Sequence, residues 1–232
     1  LPKAVLNWQN VNNTKGILSA QLHVSGEGNS PSAKGELKLA IGYSYGATLR
    51  DVDAKVHAQL VNNNPFIQLT DIKGTVAQAP FTANLSMDGE KHSWTVSADA
   101  ADLPAFQVLN ISQNFSILPA ADPESIPLSQ LTLRGKLAAH FDAKGSVNFT
   151  DSAPSFRMTD GVLKVTSPQL SWHGENLGAL QTDFKLTPRL LHIQQATLRT
   201  SKITNPRIIQ VSGDMPWNVE DSSLNTAVDV QN

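Results

Sequence analysis

Six histidines carry the most versatile side chains for chemistry in this sequence, because imidazole can bind a metal or transfer a proton near neutral pH. They are His23, His57, His92, His140, His173 and His192. No two are separated by two or four residues, so the sequence contains neither a local metal-binding pair nor an HExxH motif. Each lies within or beside a predicted strand, which favours single side chains facing solvent. We therefore predict no metal site and no cofactor.

Other kinds of reactive site also lack a sequence signal. The chain has no cysteine, which excludes thiol catalysis, cysteine-ligated zinc and disulfides. It has no GxSxG elbow and no glycine-rich phosphate-binding motif. The net charge is −2 and only 16% of residues are charged, so the basic surface of a nucleic-acid-binding protein is absent. We predict that the chain is not an enzyme, although a Ser–His–Asp triad assembled from distant residues stays open.

The elements that would position any site are strands, because apolar and polar residues alternate along most of the chain. In LRDVDAKVHAQLVNNN, the residues Val52, Ala54, Val56, Ala58 and Leu60 alternate with polar ones. A period of two is typical of strands with one buried face. At common strand lengths the sequence has room for on the order of fifteen strands. It thus predicts an all-β protein.

One stretch breaks the alternation and divides the chain. In ADLPAFQVLNISQNFSILPAADPESIPL, the spacing predicts a short helix over Leu103–Leu109 after an N-cap at Asp102, followed by a proline-rich loop. The predicted organisation is a β-rich segment at 1–100, a helix and loop at 101–128, and a β-rich segment at 129–232. One continuous sheet with an interruption is equally compatible with the pattern.

The predicted apolar faces are unusually rich in small side chains. Seven of these residues are alanine: Ala20, Ala54, Ala58, Ala83, Ala98, Ala139 and Ala143. The interior of a β-sandwich is normally filled by interdigitating large residues. Small residues leave room that either an opposite sheet or the acyl chains of a lipid would fill, and the sequence leaves both open.

The stretch MTDGVLKVTSPQLSWHGENLGALQTDFKLTPRLLHIQQATLRT resembles the AsmA-like superfamily, and the stretches AVLNWQN and VSGDMPWN resemble its YdbH branch in particular. The similarity is a sequence pattern: the motif DGxLxV comes first, a run of regularly spaced leucines follows, and a strand that begins beside a glycine ends the pattern. Its anchors here are Asp160, Gly161, Leu163, Val165, Leu177, Leu180, Phe184, Leu186, Leu191, Ile193, Ala196 and Leu198.

The resemblance implies a fold and a role. Such proteins have a long, twisted antiparallel sheet that curls into an open hydrophobic groove, the β-taco. They are anchored in the inner membrane of diderm bacteria and carry phospholipids across the periplasm to the outer membrane. The opening LPKAVLNW has no initiating Met or signal-peptide core, so we interpret the chain as a piece of a longer protein whose anchor lies outside it. Phospholipids are the implied ligands, with an outer-membrane lipoprotein or another envelope protein as a further partner.

These considerations define a candidate site and its alternatives. The residues expected to line a lipid groove are Leu18, Leu22, Leu39, Ile41, Val52, Ala54, Val56, Ala58, Leu60, Phe81, Leu85, Val96, Leu133, Phe141, Phe149, Leu163, Val165, Phe184 and Leu186. The first alternative is a non-catalytic envelope β-sandwich for adhesion or for binding carbohydrate or protein. The second is an envelope hydrolase.

Overall fold

Strands account for nearly all of the residues that the computed structural model describes. The structure describes residues 3–11, 14–26, 30–44, 47–108, 133–149, 155–188, 190–200, 208–216 and 225–231. The strands are β1 (Lys3–Val11), β2 (Thr14–Ser25), β3 (Ser32–Ser44), β4 (Ala47–Val61), β5 (Asn64–Val76), β6 (Ala79–Asp88), β7 (Ser93–Pro104), β8 (Leu133–Asn148), β9 (Ser155–Trp172), β10 (Glu175–Leu186), β11 (Leu190–Arg199), β12 (Ile208–Pro216) and β13 (Asn225–Gln231).

The order of the strands in the sheet is their order in the chain. Each strand is hydrogen-bonded to the next from β1 to β13, and the pairing is antiparallel. Two-residue turns join β4 to β5, β5 to β6 and β9 to β10, and both residues of each turn have positive φ. This is the type I′ geometry, whose twist matches that of the flanking strands. The prediction of an all-β chain with a long antiparallel sheet is confirmed.

A short helical turn follows β7. Residues 105–108 are helical, within the stretch for which the sequence predicts a short helix. Its start differs from the prediction, because Asp102 lies inside β7 with a φ of 58° instead of capping a helix. Leu109 and the proline-rich loop lie outside the described residues. Among the residues that are described, no helix has the length and hydrophobicity needed to cross a bilayer.

Several strands contain β-bulges, in which one extra residue interrupts the pairing. Asp51 in β4 and Asp71 in β5 have φ values of 50° and 53°, and the register shifts beside each of them. Ala40 is the extra residue of β3, where the register against β2 shifts by one. A bulge increases local twist and reverses which face the following residues occupy relative to the simple alternation. Bulges therefore decide which side chains share a face.

The chain forms two compact units. The first comprises Leu1–Asp99 with Phe141–Asp160, and the second comprises Ala100–His140 with Gly161–Asn232. Strands β1–β6 lie wholly in the first unit, and β10–β13 lie wholly in the second. The predicted division at 1–100, 101–128 and 129–232 stays a prediction, since most of the middle segment lies outside the described residues.

Candidate functional site

The first unit presents an apolar face made of rows that cross five strands. In β-sheets, residues directly opposite one another on neighbouring strands project from the same face. One row of such partners is Leu22, Gly35, Val56, Leu69 and Leu85, from β2 through β6. Every member of this row is apolar or glycine, so the row has no polar interruption.

The neighbouring rows have the same character. The next row toward one end of the strands is Val24, Ala33, Ala58, Ile67 and Met87. The row nearest the other end is Gly16, Gly42, Leu49, Val76 and Ala79. Rows on one face are about 7 Å apart and strands about 4.8 Å apart, so the five strands offer an apolar surface on the order of 500 Å². That size is at the upper end for the largest apolar patch of a monomer.

Most of the residues predicted for the first unit lie on this face. Leu18, Leu39 and Val52 are mutual cross-strand partners, and Phe81 is opposite Gly74, whose ideal Cβ would meet the Val52 side chain at 2.8 Å. The predicted residues that this register places on the apolar face are Leu18, Leu22, Leu39, Val52, Ala54, Val56, Ala58, Leu60, Phe81 and Leu85. Whether they contact lipid stays a prediction.

Ile41 lies on the opposite, polar face. It is the partner of Ile17 on β2 and of Arg50 on β4, whereas Leu39 is the partner of Leu18 and Val52. The bulges at Ala40 and Asp51 place an extra residue between these pairs, so Ile41 and Leu39 point in opposite directions although they are two residues apart. The simple alternation that groups Ile41 with Leu39 is therefore wrong at this position.

Side chains on the apolar face are half-exposed, with few exceptions. In β4 and β5 all the residues of this face fall in the intermediate class of exposure, and in β6 only Ala79 and Met87 are buried. Val24, at the end of this face, is 61% exposed. The face is thus partly accessible to a ligand.

Trp94 and a glycine shape the apolar face at β7 and β8. The Ser86 and Thr95 hydroxyls are 2.9 Å apart on the polar side, so Trp94 and the predicted Val96 project from the apolar side. Trp94 Nε1 donates to the Ser146 carbonyl at 3.1 Å. An ideal Cβ on Gly145 would first meet the Arg157 carbonyl oxygen of β9 and would lie 2.6 Å from Trp94 Nε1, so backbone and indole together occupy the space beside this glycine.

Three further predicted residues belong to β8 or its end. Phe141 is in the first unit and is half-buried, two residues before the buried Ala143. Phe149 directly follows β8 and is also half-buried. Leu133 begins β8 in the second unit and is half-buried. All three are partly accessible.

The second unit has an apolar face of its own. Leu163, Phe184, Ile193 and Gly213 form one row across β9–β12. Adjacent rows contain the other predicted residues, Val165 and Leu186. The adjacent rows on this face are Gly161–Leu186–Leu191, Val165–Thr182–Ala196–Val211 and Ser167–Leu180–Leu198–Ile209. No charged residue occurs in these rows.

The two hydroxyl residues buried on this second face satisfy their hydrogen bonds with the backbone. Ser167 Oγ donates to the Lys136 carbonyl at 2.8 Å, and Thr182 Oγ1 donates to the Val165 carbonyl at 3.3 Å. Because the two side chains are buried and their hydroxyl protons are directed at the backbone, they expose no polar group to a ligand. The second face therefore also suits hydrocarbon.

The opposite face of the first unit carries paired charges. Lys38 and Asp53 are cross-strand partners with their charged atoms 3.6 Å apart, and Lys55 Nζ donates to Asp71 Oδ2 at 2.7 Å. This hydrogen bond and the attraction of opposite charges lower the pKa of Asp71 and raise the pKa of Lys55. A cavity of about 610 Å³ lies at the same level of β3–β6, beside the bulges. Exposed pairs of this kind contribute little to stability but favour one strand register.

Groups that could bind a metal do not converge in the part of the chain that the structure describes. His192 has an acidic neighbour: its Nδ1 contacts Asp214 Oδ1 on the adjacent strand, and both side chains are partly exposed. Lys185 is the partner of His192 on the other side. The arrangement is a cross-strand polar row on the face opposite the hydrocarbon-like one.

The set of residues predicted from sequence omitted several apolar residues of β5 and β6. Ile67, Leu69, Ile72 and Met87 lie on the first apolar face but were absent from the predicted set. In PFIQLTDIKGTV the alternation of Ile67 and Leu69 continues at Ile72 after one extra residue. That change of phase at Asp71 was the available signal of a bulge.

The chain matches no protein-family model, no curated protein and no solved structure.

Proposed function

We propose that the apolar faces bind the acyl chains of phospholipids and that the chain is a segment of a periplasm-spanning lipid-transport protein of the AsmA-like type. The observation that supports this most directly is the set of half-exposed apolar rows that cross β2–β6 without a charged residue. A surface of that composition favours hydrocarbon, since each CH₂ group removed from water contributes about 0.8 kcal/mol.

Transport by such a surface needs no chemical step. An acyl chain that moves from one apolar row to the next stays in contact with carbon throughout, so no position along the path is strongly preferred. Under this proposal the sheet curls into a groove, the paired charges of the other face are solvated, and the chain is not an enzyme. The protein is anchored in the inner membrane through a segment outside this chain, lies in the periplasm and delivers lipid to an envelope partner such as an outer-membrane lipoprotein.

The test is the lipid content of the purified protein. We expect phospholipid to copurify and to be detected by solvent extraction and mass spectrometry. Protein free of lipid that also fails to take up phospholipid from micelles would contradict the proposal. A lipid-free protein that binds an oligosaccharide would favour the adhesive β-sandwich, and hydrolysis of an envelope substrate would favour the hydrolase. No observation in the described residues favours either alternative.

A pair of substitutions locates the binding surface. Ala58→Asp places a carboxylate on the apolar face between Ala33 and Ile67, and we expect most of the bound lipid to be lost. Ala58 is half-buried, so water reaches the carboxylate. The fold should therefore persist, with the free energy of unfolding lowered by about 1–2 kcal/mol. Gln59→Asp introduces the same charge on the opposite face and serves as the control, with lipid content unchanged. Equal lipid content in both variants would exclude this face as the binding surface.

A further inference from the structure

An unusual patch interrupts the polar face of the first unit. Lys15, Ile17, Ile41, Tyr43 and Arg50, hereafter the tyrosine patch, occupy two adjacent cross-strand rows. Ile17 is 43% exposed and Tyr43 is 39% exposed, both high values for large apolar side chains. Lys15 Nζ lies 4.8 Å from the centre of the Tyr43 ring. The bulges in β3 and β4 create the patch, because they bring Ile41 to this face.

The composition of the tyrosine patch differs from that of the rest of its face. The next row toward the middle of the strands contains Lys38 and Asp53, which pair with each other. The patch itself contains two cations and no acidic residue, and its nearest carboxylate along the chain is that of Asp51 at the bulge. The patch combines the exposed Ile17, the half-buried Ile41, a tyrosine and cations with long aliphatic stems, a combination that suits the boundary between water and a bilayer.

We infer that the tyrosine patch docks on the surface of an anionic phospholipid membrane. Ile17, Ile41 and Tyr43 enter the headgroup region, while Lys15 and Arg50 contact lipid phosphates. Charge complementarity selects this occupant, since the cations of the patch match a negative leaflet. The contact is weak and reversible because the patch is small, and it is independent of acyl-chain binding on the opposite face.

Vesicle sedimentation tests this inference. We expect the purified protein to bind vesicles of phosphatidylcholine and phosphatidylglycerol, to bind pure phosphatidylcholine vesicles much less, and to dissociate as salt is raised. Lys15→Glu should weaken binding at least about five-fold, since one cation near an anionic surface contributes about that factor. Lys34→Glu is the matched control on the same strand face. It is nine residues from Tyr43, about 30 Å along β3 and several Debye lengths away, so binding should stay within about two-fold.

A third variant excludes misfolding as the cause of weaker vesicle binding. Asp51→Asn removes the carboxylate nearest the tyrosine patch, and asparagine tolerates the positive φ at this position. We expect it to bind anionic vesicles up to about five-fold more tightly, which damage to the fold would not produce. Equal binding to neutral and anionic vesicles, or equal effects of Lys15→Glu and Lys34→Glu, would overturn the inference. Either result would overturn only the docking inference, because the proposed function is tested separately by the lipid content of the purified protein.

Discussion

At the scale of single residues, Gly145 lies in a crowded place on the first apolar face. The Arg157 carbonyl oxygen and the Trp94 indole both lie where a side chain at position 145 would project. Gly145→Ala should therefore lower the free energy of unfolding by about 1–3 kcal/mol, as overpacking commonly does. The measurement is urea unfolding followed by tryptophan fluorescence.

Gly42→Ala is the control for this substitution. An ideal Cβ at Gly42 meets the end of the flexible Leu39 side chain at 3.0 Å, and that side chain can move aside. We expect Gly42→Ala to lower the free energy of unfolding much less than Gly145→Ala does. Equal losses at the two positions would show that crowding at Gly145 is not the cause.

The Lys55–Asp71 pair predicts a pH response. The pKa of Asp71 lies below 3.8 because Lys55 donates a hydrogen bond to the carboxylate and carries the opposite charge. The pair is therefore intact at neutral pH and is lost as the pH falls through the lowered pKa of Asp71. At the alkaline end it is lost as the pH rises through the pKa of Lys55, which is raised above 10.5.

Carboxyl-carbon NMR titration measures this effect. Lys55→Met should raise the pKa of Asp71 toward its ordinary value. Lys73→Met should raise it less, because Lys73 acts on Asp71 through charge alone and more weakly. A pKa of Asp71 that does not change in Lys55→Met would mean that the hydrogen bond does not persist in solution.

At the scale of elements, the bulges in β3 and β4 give neighbouring apolar residues different roles. Leu39→Asp places a charge on the apolar face, and we expect most bound lipid to be lost. Ile41→Asp places the same charge on the polar face, so lipid content should change little. Quantitative mass spectrometry of extracted lipid compares the two. Similar losses from both variants would mean that the register of β3 against β4 differs from the one described.

The strands were predictable from sequence because the alternation of apolar and polar residues is a local pattern. Assigning residues to faces by the same alternation failed where a β-bulge inserts an extra residue. Val52, Val56 and Leu60 were placed together by period two, and the register confirms that they share a face. Ile41 was misplaced because the extra residue at the bulge is an alanine, and the nearest glycine, Gly42, comes only after Ile41. Its position depends on pairing with β2 and β4, which is a property of three strands and not of one. Ile72, by contrast, was predictable from sequence, because the apolar–polar alternation of β5 shifts by one residue at Asp71.

At the scale of the whole molecule, the chain-order pairing of the strands has a consequence for how the protein is made. Each strand finds its partner immediately upstream, and several partners are separated by only two residues, so most of the loops that must close are short, the segment between Pro104 and Leu133 being the long exception. Short-range contacts favour rapid folding. A growing polypeptide can add one hairpin at a time as it emerges during synthesis, without waiting for distant sequence. By the same logic, evolution can insert or remove a whole hairpin while every other side chain keeps its face.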